Sequence, residues 1–173
     1  ITLRMLLIGK SVVWISWFKN REWQISEMGL NLAFPDQLEM YWMGSGFFIK
    51  EPEVIIDGVK IAKINKGRVH DVATAVNHRK SARESLGLAE DILRRITKPD
   101  LLVMDESLQA IKEGLLTEKE VIRVINKRGG THIVLTGRGA KEELIKSSDL
   151  VTEMKKVKHP YDSGQLAIKG LDY

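Results

Sequence analysis

Apolar residues occur along this chain in short dense runs that alternate with stretches of helical spacing. Apolar, β-branched and aromatic runs predict strands over residues 11–18, 38–43, 101–104, 131–136 and 150–154. Apolar positions three and four residues apart predict helices over residues 1–8, 71–96, 117–126 and 141–147. Strands alternating with helices predict one α/β domain over residues 1–173, with a mostly parallel sheet and helices on both faces.

Two local patterns sharpen this prediction. Thr117, followed three residues later by Glu120, is a capping-box pattern that begins the helix over residues 117–126. Asp57-Gly58 separates two short apolar runs, and such a pair favours the two-residue turn of a small hairpin. The polar, glycine-containing segment over residues 19–35 predicts a loop with one helical turn.

Composition excludes several classes of protein. The 173 residues are 43% hydrophobic and 29% charged, which is ordinary for a globular domain and excludes a mostly disordered chain. No apolar run approaches the roughly 20 residues that cross a bilayer, and no export leader opens the sequence. The absence of cysteine excludes disulfides and thiolate sites. We therefore expect a cytoplasmic protein that does not bind membranes.

The net charge leaves room for an anionic partner. The chain carries 27 Lys and Arg against 23 Asp and Glu, a formal charge of +4. The basic residues are scattered and form no arginine-rich tract. A solvated basic surface is therefore favoured over nucleic-acid binding.

Reactive side chains follow two of the predicted strands at the point where each ends, and ligands of parallel α/β sheets bind at this edge. Asp105 and Glu106 follow four apolar residues, an arrangement typical of acids that hold Mg²⁺ beside nucleotide phosphates. The alternative is an acid that caps the next helix. Thr136, Gly137 and Arg138 follow the second strand. The glycine allows close backbone approach and the arginine can bind phosphate, although an ordinary turn with a solvated arginine remains the alternative.

Two further segments are candidate phosphate or ligand sites. Residues 157–164 are rich in Lys, His, Tyr and Asp and either close over a ligand or form a polar tail, with His159 as a candidate. The other histidines lack metal-ligand spacing, so no zinc site is predicted. Gly9-Lys10-Ser11 matches the end of the loop G-x-x-x-x-G-K-[ST]. Arg4 replaces the first glycine, however, and the element order is reversed, so we reject this loop.

These residues resemble the CobA/BtuR-type ATP:corrinoid adenosyltransferase family. Over residues 100–173 the shared stretches are LLVMDE, IVLTGRG, KEELI, DLVTEM and VKHPYDSGQLAIKGLDY. Upstream, GKSVVWISWFK and the turn Gly44-Ser45-Gly46-Phe47 match more loosely and in the same order. The resemblance implies a P-loop NTPase fold of the RecA-like type.

The resemblance also implies an activity, namely transfer of the 5′-deoxyadenosyl group from ATP to the cobalt(I) of cobalamin or another corrinoid. Cobalt(I) is the nucleophile, so no catalytic side chain is expected, and Mg²⁺ accompanies ATP. By resemblance, Thr136, Gly137 and Arg138 bind phosphate, and Asp105 and Glu106 bind the metal. Gly46, Phe47 and His159 bind the corrinoid. A separate reductase and a homodimer are implied as partners.

Two departures from the family keep other functions open. The family has a P-loop of the G-N-G-K-G-K-T type before the helix over residues 1–8, and this sequence does not contain it. Residues 51–79 are also longer than expected, which indicates an inserted hairpin or a changed lid. One alternative is a corrinoid-binding relative that has lost ATP binding and catalysis. A more distant alternative is a nucleic-acid-handling ATPase of the same superfamily.

Overall fold

A computed structural model of the chain describes residues 1–23, 25–64, 67–165, 168 and 170. The strands are β1 (Val12–Ser16), β2 (Leu38–Trp42), β3 (Val54–Ile56), β4 (Val59–Ile64), β5 (Gly67–Asp71), β6 (Leu101–Asp105) and β7 (His132–Leu135). The α-helices are α1 (Thr2–Leu7), α2 (Met28–Ala33), α3 (Ala75–Arg94), α4 (Ser107–Lys112), α5 (Glu118–Ile125) and α6 (Glu142–Ser147). Short 3-10 helices cover Arg21–Trp23 and Pro160–Ser163.

The central sheet has four strands in the order β2-β1-β6-β7, and all three pairings are parallel. Every residue of β6 is buried, as expected for a strand covered on both faces. The register sets Ser16, the last residue of β1, beside Asp105, the last residue of β6. The strands therefore end at one edge, where their final side chains meet.

Helices cover both faces of this sheet, as predicted. Alternate strand residues point to opposite faces and enter two separate apolar clusters. Leu101 and Val103 of β6 pack with Leu6 of α1 on one side. Leu102 and Met104 pack on the other side with residues of α3, α5 and α6. The predicted α/β class with a mostly parallel sheet is confirmed.

Residues 54–71 form a second, antiparallel sheet in the order β3-β4-β5. Its first two strands are the predicted hairpin. Asp57 and Gly58 at the turn both have positive φ, 49° and 80°, as two-residue hairpins of type I′ require. The third strand, β5, was not predicted, because its sequence Gly-Arg-Val-His-Asp has a single apolar residue and shows no strand-like alternation. The extent of the domain and the assignment of residues 51–79 as an insertion stay predictions.

Two sequence predictions require correction. The long helix begins at Ala75 rather than at residue 71, because the Thr74 side chain accepts a hydrogen bond from the Asn77 N–H and caps it there. Residues 150–154 are not a strand and take part in no sheet pairing within the described chain. Leu150 and Met154 are exposed, so the strand propensity of this segment is not supported by a partner.

Other predictions hold. The Thr117 hydroxyl accepts from the Glu120 N–H at 3.3 Å, and the Glu120 carboxylate accepts from the Thr117 N–H at 2.7 Å, which confirms the capping box. The segment over residues 19–35 is more helical than predicted, because its described residues include both a 3-10 turn and the six-residue helix α2. No helix in the described residues has both the length and the apolar character needed to cross a bilayer.

Candidate functional site

A cavity of about 500 Å³ opens at the carboxyl edge of the parallel sheet. Two sets of residues line it. The aromatic wall follows β2 and includes a residue of the 3-10 turn after β1, and it comprises Trp23, Gly46, Phe47 and Phe48. The polar wall follows β6 and β7 and comprises Glu106, Gln109, Glu113, Gly137 and Arg138. Phe18, just beyond the end of β1, also lines the cavity.

Asp105 is the centre of a hydrogen-bond network beside this cavity. Its Oδ2 accepts from the Ser16 hydroxyl at 3.0 Å and lies 3.3 Å from the Lys19 ammonium. Its Oδ1 accepts from the Thr136 hydroxyl at 2.9 Å. Because both oxygens are already engaged, Asp105 ties the ends of β1, β6 and β7 together.

Thr136 links Asp105 to Glu106, the residue that follows Asp105 in the chain. Its hydroxyl donates to Asp105 and accepts from the backbone N–H of Glu106 at 2.9 Å. The turn after β7 is thus attached to the turn after β6. Thr136 does not line the cavity and acts behind it.

Lys19 is a cation at this edge of the sheet that was not among the predicted site residues. Its ammonium lies 3.0 Å from Glu27 and 3.3 Å from Asp105, and its side chain is only 20% exposed. Burial lowers the pKa of Lys19, but the charges and hydrogen bonds of Asp105 and Glu27 outweigh it and raise that pKa. Its sequence signal was a lysine just beyond a buried strand, where a charge at the sheet edge is expected.

Glu106 lines the cavity in an unusual backbone conformation. Its φ is 62°, a left-handed value that is uncommon for residues other than glycine and costs roughly 1–3 kcal/mol. Burial and the neighbouring Asp105 charge raise the pKa of Glu106, and Lys19 and Arg138 oppose this only in part. No described residue forms a hydrogen bond with its carboxylate oxygens, so this group is available to a cation or proton at the cavity.

The acids present fit a magnesium ion brought by phosphates better than a cage made by the protein. No cluster of three or more His, Cys, Asp or Glu side chains within the described part of the chain is arranged to hold a metal. Mg²⁺ in nucleotide sites commonly takes one or two carboxylates, with phosphate and water oxygens completing its shell. Glu106 at the cavity can supply one such carboxylate, whereas Asp105 is engaged by its own hydrogen bonds behind it.

The turn after β7 packs closely against α4. A side chain at Gly137, which has φ of 129°, would come within 2.8 Å of the Gln109 backbone nitrogen. The Leu108 N–H also donates to the Thr136 carbonyl at 3.1 Å. Gly137 is therefore required for contact with the helix, and because it also lines the cavity, its close approach to a ligand stays a prediction. Arg138 follows it and is exposed at the cavity.

The aromatic wall rests on a tight turn after β2. A Cβ at Gly44 would overlap the Phe18 backbone at 2.0 Å, so only glycine fits there. The Gly46 N–H donates to the Phe18 carbonyl at 3.1 Å. Phe47 then stacks on Trp23 with ring centroids 4.7 Å apart, and Phe47 remains 43% exposed. Trp23 was missed because it lies in a segment predicted as loop, where an aromatic residue has no periodic signal.

The structure brings most of the predicted site residues together. Five of them line the cavity: Gly46, Phe47, Glu106, Gly137 and Arg138. Asp105 and Thr136 lie directly behind it. His159 is exposed in the segment after α6 and is not among the lining residues, because that segment has no strand pairing to hold it at the sheet edge.

Comparison with known proteins gives this cavity a chemical context. A family model described as ATP:corrinoid adenosyltransferase BtuR/CobO/CobP matches residues 1–173. The chain belongs to this family. It is 33% identical over 142 residues to a corrinoid adenosyltransferase of Sinorhizobium sp, covering 81% of this chain and 56% of that protein.

Two further relatives are also named corrinoid adenosyltransferases. A corrinoid adenosyltransferase of Pseudomonas aeruginosa is 32% identical over 143 residues, covering 81% of this chain and 59% of the relative. Corrinoid adenosyltransferase CobA of Salmonella typhimurium is 36% identical over 75 residues, covering 43% of this chain and 38% of CobA. The chain spans a little over half the length of the first two curated relatives.

Proposed function

We propose that the protein is an ATP:corrinoid adenosyltransferase, the activity for which its family is named. The observation that carries this proposal is a single cavity with an aromatic wall and a polar wall that bears Arg138 and Glu106. An aromatic surface suits the large, partly apolar corrin ring, and a cation–acid pair suits metal-bound phosphates. One cavity therefore offers surfaces for both substrates of the transfer.

In the proposed reaction, the cobalt(I) of the corrinoid attacks C5′ of ATP. A cobalt–carbon bond forms, the C5′–O bond breaks, and its electron pair leaves with tripolyphosphate. Because cobalt is the nucleophile, the protein contributes positioning and electrostatics rather than an attacking side chain. This matches a cavity whose charged residues are an arginine and carboxylates, with a half-buried lysine behind them.

Individual residues have distinct roles in this proposal. Arg138 binds phosphate oxygens, and the positive charge of Lys19 adds to the field in which negative charge leaves. Thr136 and Gly137 fix the turn that carries Arg138. Gly46 and Phe47, with Trp23, hold the corrinoid, and an apolar surface there favours cobalt without its lower axial ligand.

Mg²⁺ would be held by Glu106, with Asp105 fixing the turn behind it. When bound, it neutralises charge on the phosphates. We further propose His159 as a corrinoid contact, a cytoplasmic homodimer as the active form, and a separate protein as the source of the reductant. A chain without cysteine fits a reducing compartment and offers no thiolates for an iron–sulfur cluster.

A corrinoid-binding protein that does not use ATP is the second candidate function. The observation that favours it is the asymmetry of the cavity. Trp23, Phe47 and Phe48 make an extended aromatic wall, whereas only one exposed arginine in the polar wall suits the three phosphates of ATP. This reading predicts corrinoid affinity that is independent of nucleotide.

An anaerobic assay with chemically reduced cobalamin, ATP and Mg²⁺ separates the two functions. Adenosylcobalamin formation is followed by its visible spectrum, with reactions that omit ATP or protein as controls. We expect product that depends on ATP and on this chain. Corrinoid binding without product would favour the second function, and absence of corrinoid binding would contradict both.

A further inference from the structure

The aromatic wall is held in place by a buried carboxylate that belongs to the second sheet. Asp71, the last residue of β5, has a fully buried side chain. Its Oδ2 accepts from the backbone N–H of Ile49 at 3.0 Å, two residues beyond Phe47. A side chain distant in sequence thus fixes the backbone directly after the aromatic wall.

Asp71 is itself held from three further directions. Its Oδ1 lies 2.9 Å from His78 Nε2 on α3 and accepts from the Ala73 N–H at 3.1 Å. The Lys60 ammonium on β4 lies 3.3 Å from Oδ2. Burial opposes ionisation, but the hydrogen bonds from His78 and the Ile49 N–H outweigh it and hold the pKa of Asp71 below its ordinary value. The carboxylate is therefore charged and its acceptor sites are filled.

The same cluster touches the aromatic wall directly. The Phe48 ring meets the His78 ring edge-on, with centroids 4.8 Å apart, and the Lys60 ammonium lies 5.8 Å from the centre of Phe48. A second tie joins Ser45 to Ser81 of α3, oxygen to oxygen, at 2.7 Å. By contrast, no hydrogen bond or ion pair joins the polar wall to β4 or β5 among the described residues. Within the part of the chain that the structure describes, such bonds tie the aromatic side of the cavity, and not the polar side, to the second sheet.

We propose that Asp71 is a positioning residue that holds Phe47 and Phe48 at the cavity and thereby sets its affinity for a corrinoid. This inference rests on the proposed function, since it names a group that tunes the corrinoid side of that same site. Asp71 does not line the cavity, so it acts through the backbone of Ile49 and the rings of His78 and Phe48. The second sheet, through β5, then supports the corrinoid site directly.

Three variants test this role. Asp71→Ala removes both carboxylate oxygens and leaves the buried Ile49 N–H unpaired. Asp71→Asn keeps one oxygen for that N–H, and therefore serves as the conservative rescue. Asp100→Ala is the matched control, because Asp100 also accepts several hydrogen bonds, from Ser11 and Lys10, but precedes β6 at the opposite edge of the sheet.

Corrinoid affinity is measured for each folded variant by anaerobic equilibrium dialysis against cob(II)alamin. Backbone hydrogen exchange is followed in parallel over residues 45–50 and in β1 and β6. For Asp71→Ala we expect affinity to fall about tenfold and exchange over residues 45–50 to accelerate, with β1 and β6 unchanged. Asp71→Asn should lie between Asp71→Ala and the wild type, and Asp100→Ala should match the wild type in both readouts.

Affinity of Asp71→Ala within twofold of the wild type, or an equal loss in Asp100→Ala, would overturn the proposal. If thermal melting shows that Asp71→Ala does not fold, hydrogen exchange of Asp71→Asn decides, and unchanged exchange over residues 45–50 in that variant would overturn the proposal. Should the wild type bind no cob(II)alamin, the proposed function fails. Hydrogen exchange then judges the positioning role alone, and unchanged exchange over residues 45–50 in the variants rejects that role too.

Discussion

The two walls of the cavity are built in different ways. The polar wall follows the ends of β6 and β7, and the sheet register places its supports, since Ser16 lies beside Asp105 and Thr136 bonds to the same carboxylate. The aromatic wall lies on a turn and a 3-10 helix, and its supports come from α3 and the second sheet. A sheet edge fixes charged groups through the backbone ladder, whereas the aromatic wall depends on contacts between distant segments.

This difference suggests a division of labour. In the proposed function, groups that bind the phosphates of ATP gain most from fixed geometry, because electrostatic stabilisation depends on donors that are already in place. A surface for a corrinoid can vary more, because apolar contact is non-directional. Changes in the second sheet could then alter corrinoid preference without disturbing the polar wall.

The largest expected effect is on ATP-dependent turnover, and it tests whether the two walls bind different substrates. Arg138→Ala should lower ATP-dependent turnover by about 10²-fold, because the proposed phosphate-binding cation is lost, while corrinoid affinity stays within twofold. Steady-state kinetics and equilibrium dialysis measure the two quantities. Arg128→Ala is the matched control, since Arg128 pairs with Asp149 and does not line the cavity. Equal loss of turnover and of corrinoid affinity would contradict the assignment of the polar wall to ATP and of the aromatic wall to the corrinoid.

The next effect tests how tightly the polar wall is packed. Gly137→Ala should lower the free energy of unfolding by about 1–3 kcal/mol, because the new Cβ meets the Gln109 nitrogen at 2.8 Å in a conformation that disfavours side chains. Chemical denaturation measures it. Gly87→Ala in α3, where a Cβ meets nothing within 4 Å, should be neutral or stabilising by about 0.5–1 kcal/mol. Equal changes in the free energy of unfolding for the two variants would show that the turn after β7 is loosely packed.

Phe47→Ala should produce a smaller change, confined to the aromatic wall. Losing the ring that stacks on Trp23 should weaken corrinoid binding about tenfold, or ~1.4 kcal/mol, with ATP affinity unchanged. Ile55→Ala, at an exposed position of β3, is the control and should bind like the wild type. Corrinoid affinity that survives Phe47→Ala intact would remove this residue from the site.

The smallest effect concerns proton binding at Glu106. Burial and the Asp105 charge raise the pKa of Glu106, so the folded protein holds this proton more tightly than the unfolded chain does. Stability from this group is therefore greatest below the ordinary glutamate pKa and is lost as pH rises through the raised value. Glu106→Gln should raise Tm by about 1–3 °C at pH 7 and leave it unchanged near pH 4.

Calorimetry at both pH values checks this prediction, and Glu118→Gln in the first turn of α5 provides a comparison. A Tm gain at pH 4 as large as that at pH 7 would disprove the proposed burial penalty. In the adenosyl-transfer assay, Glu106→Gln should also reduce Mg²⁺-dependent turnover, because a neutral amide holds a divalent cation more weakly than a carboxylate does.

Much of the parallel sheet was predictable because its signals are local. The apolar runs of β1, β6 and β7 and the capping box at Thr117 carry their own structural preference. Asp105, Glu106 and Arg138 were found by one rule, that ligands bind where parallel strands end. Residues 150–154 show the limit of this approach, since a strand-like composition without a pairing partner stays irregular.

The aromatic wall could not be assembled from local signals. Trp23 and Phe47 are 24 positions apart, and nothing in their spacing indicates that the rings stack. β5 gave no apolar alternation. The hydrogen bond that the Ile49 N–H donates to the Asp71 carboxylate joins two segments separated by a hairpin. Such contacts depend on how folded elements pack against one another.

By itself, then, the sequence determined the parallel α/β class, the strand ends that carry charge and the family resemblance. The fold class and the strand ends rest on hydrophobic periodicity and backbone preference, which act over a few residues. The resemblance rests on shared sequence stretches. Only the tertiary structure decided that Asp105 is enclosed by Ser16, Lys19 and Thr136, leaving Glu106 at the cavity. The reason is that hydrogen-bond partners of a buried charge come from whichever strands and helices the packed core brings beside it.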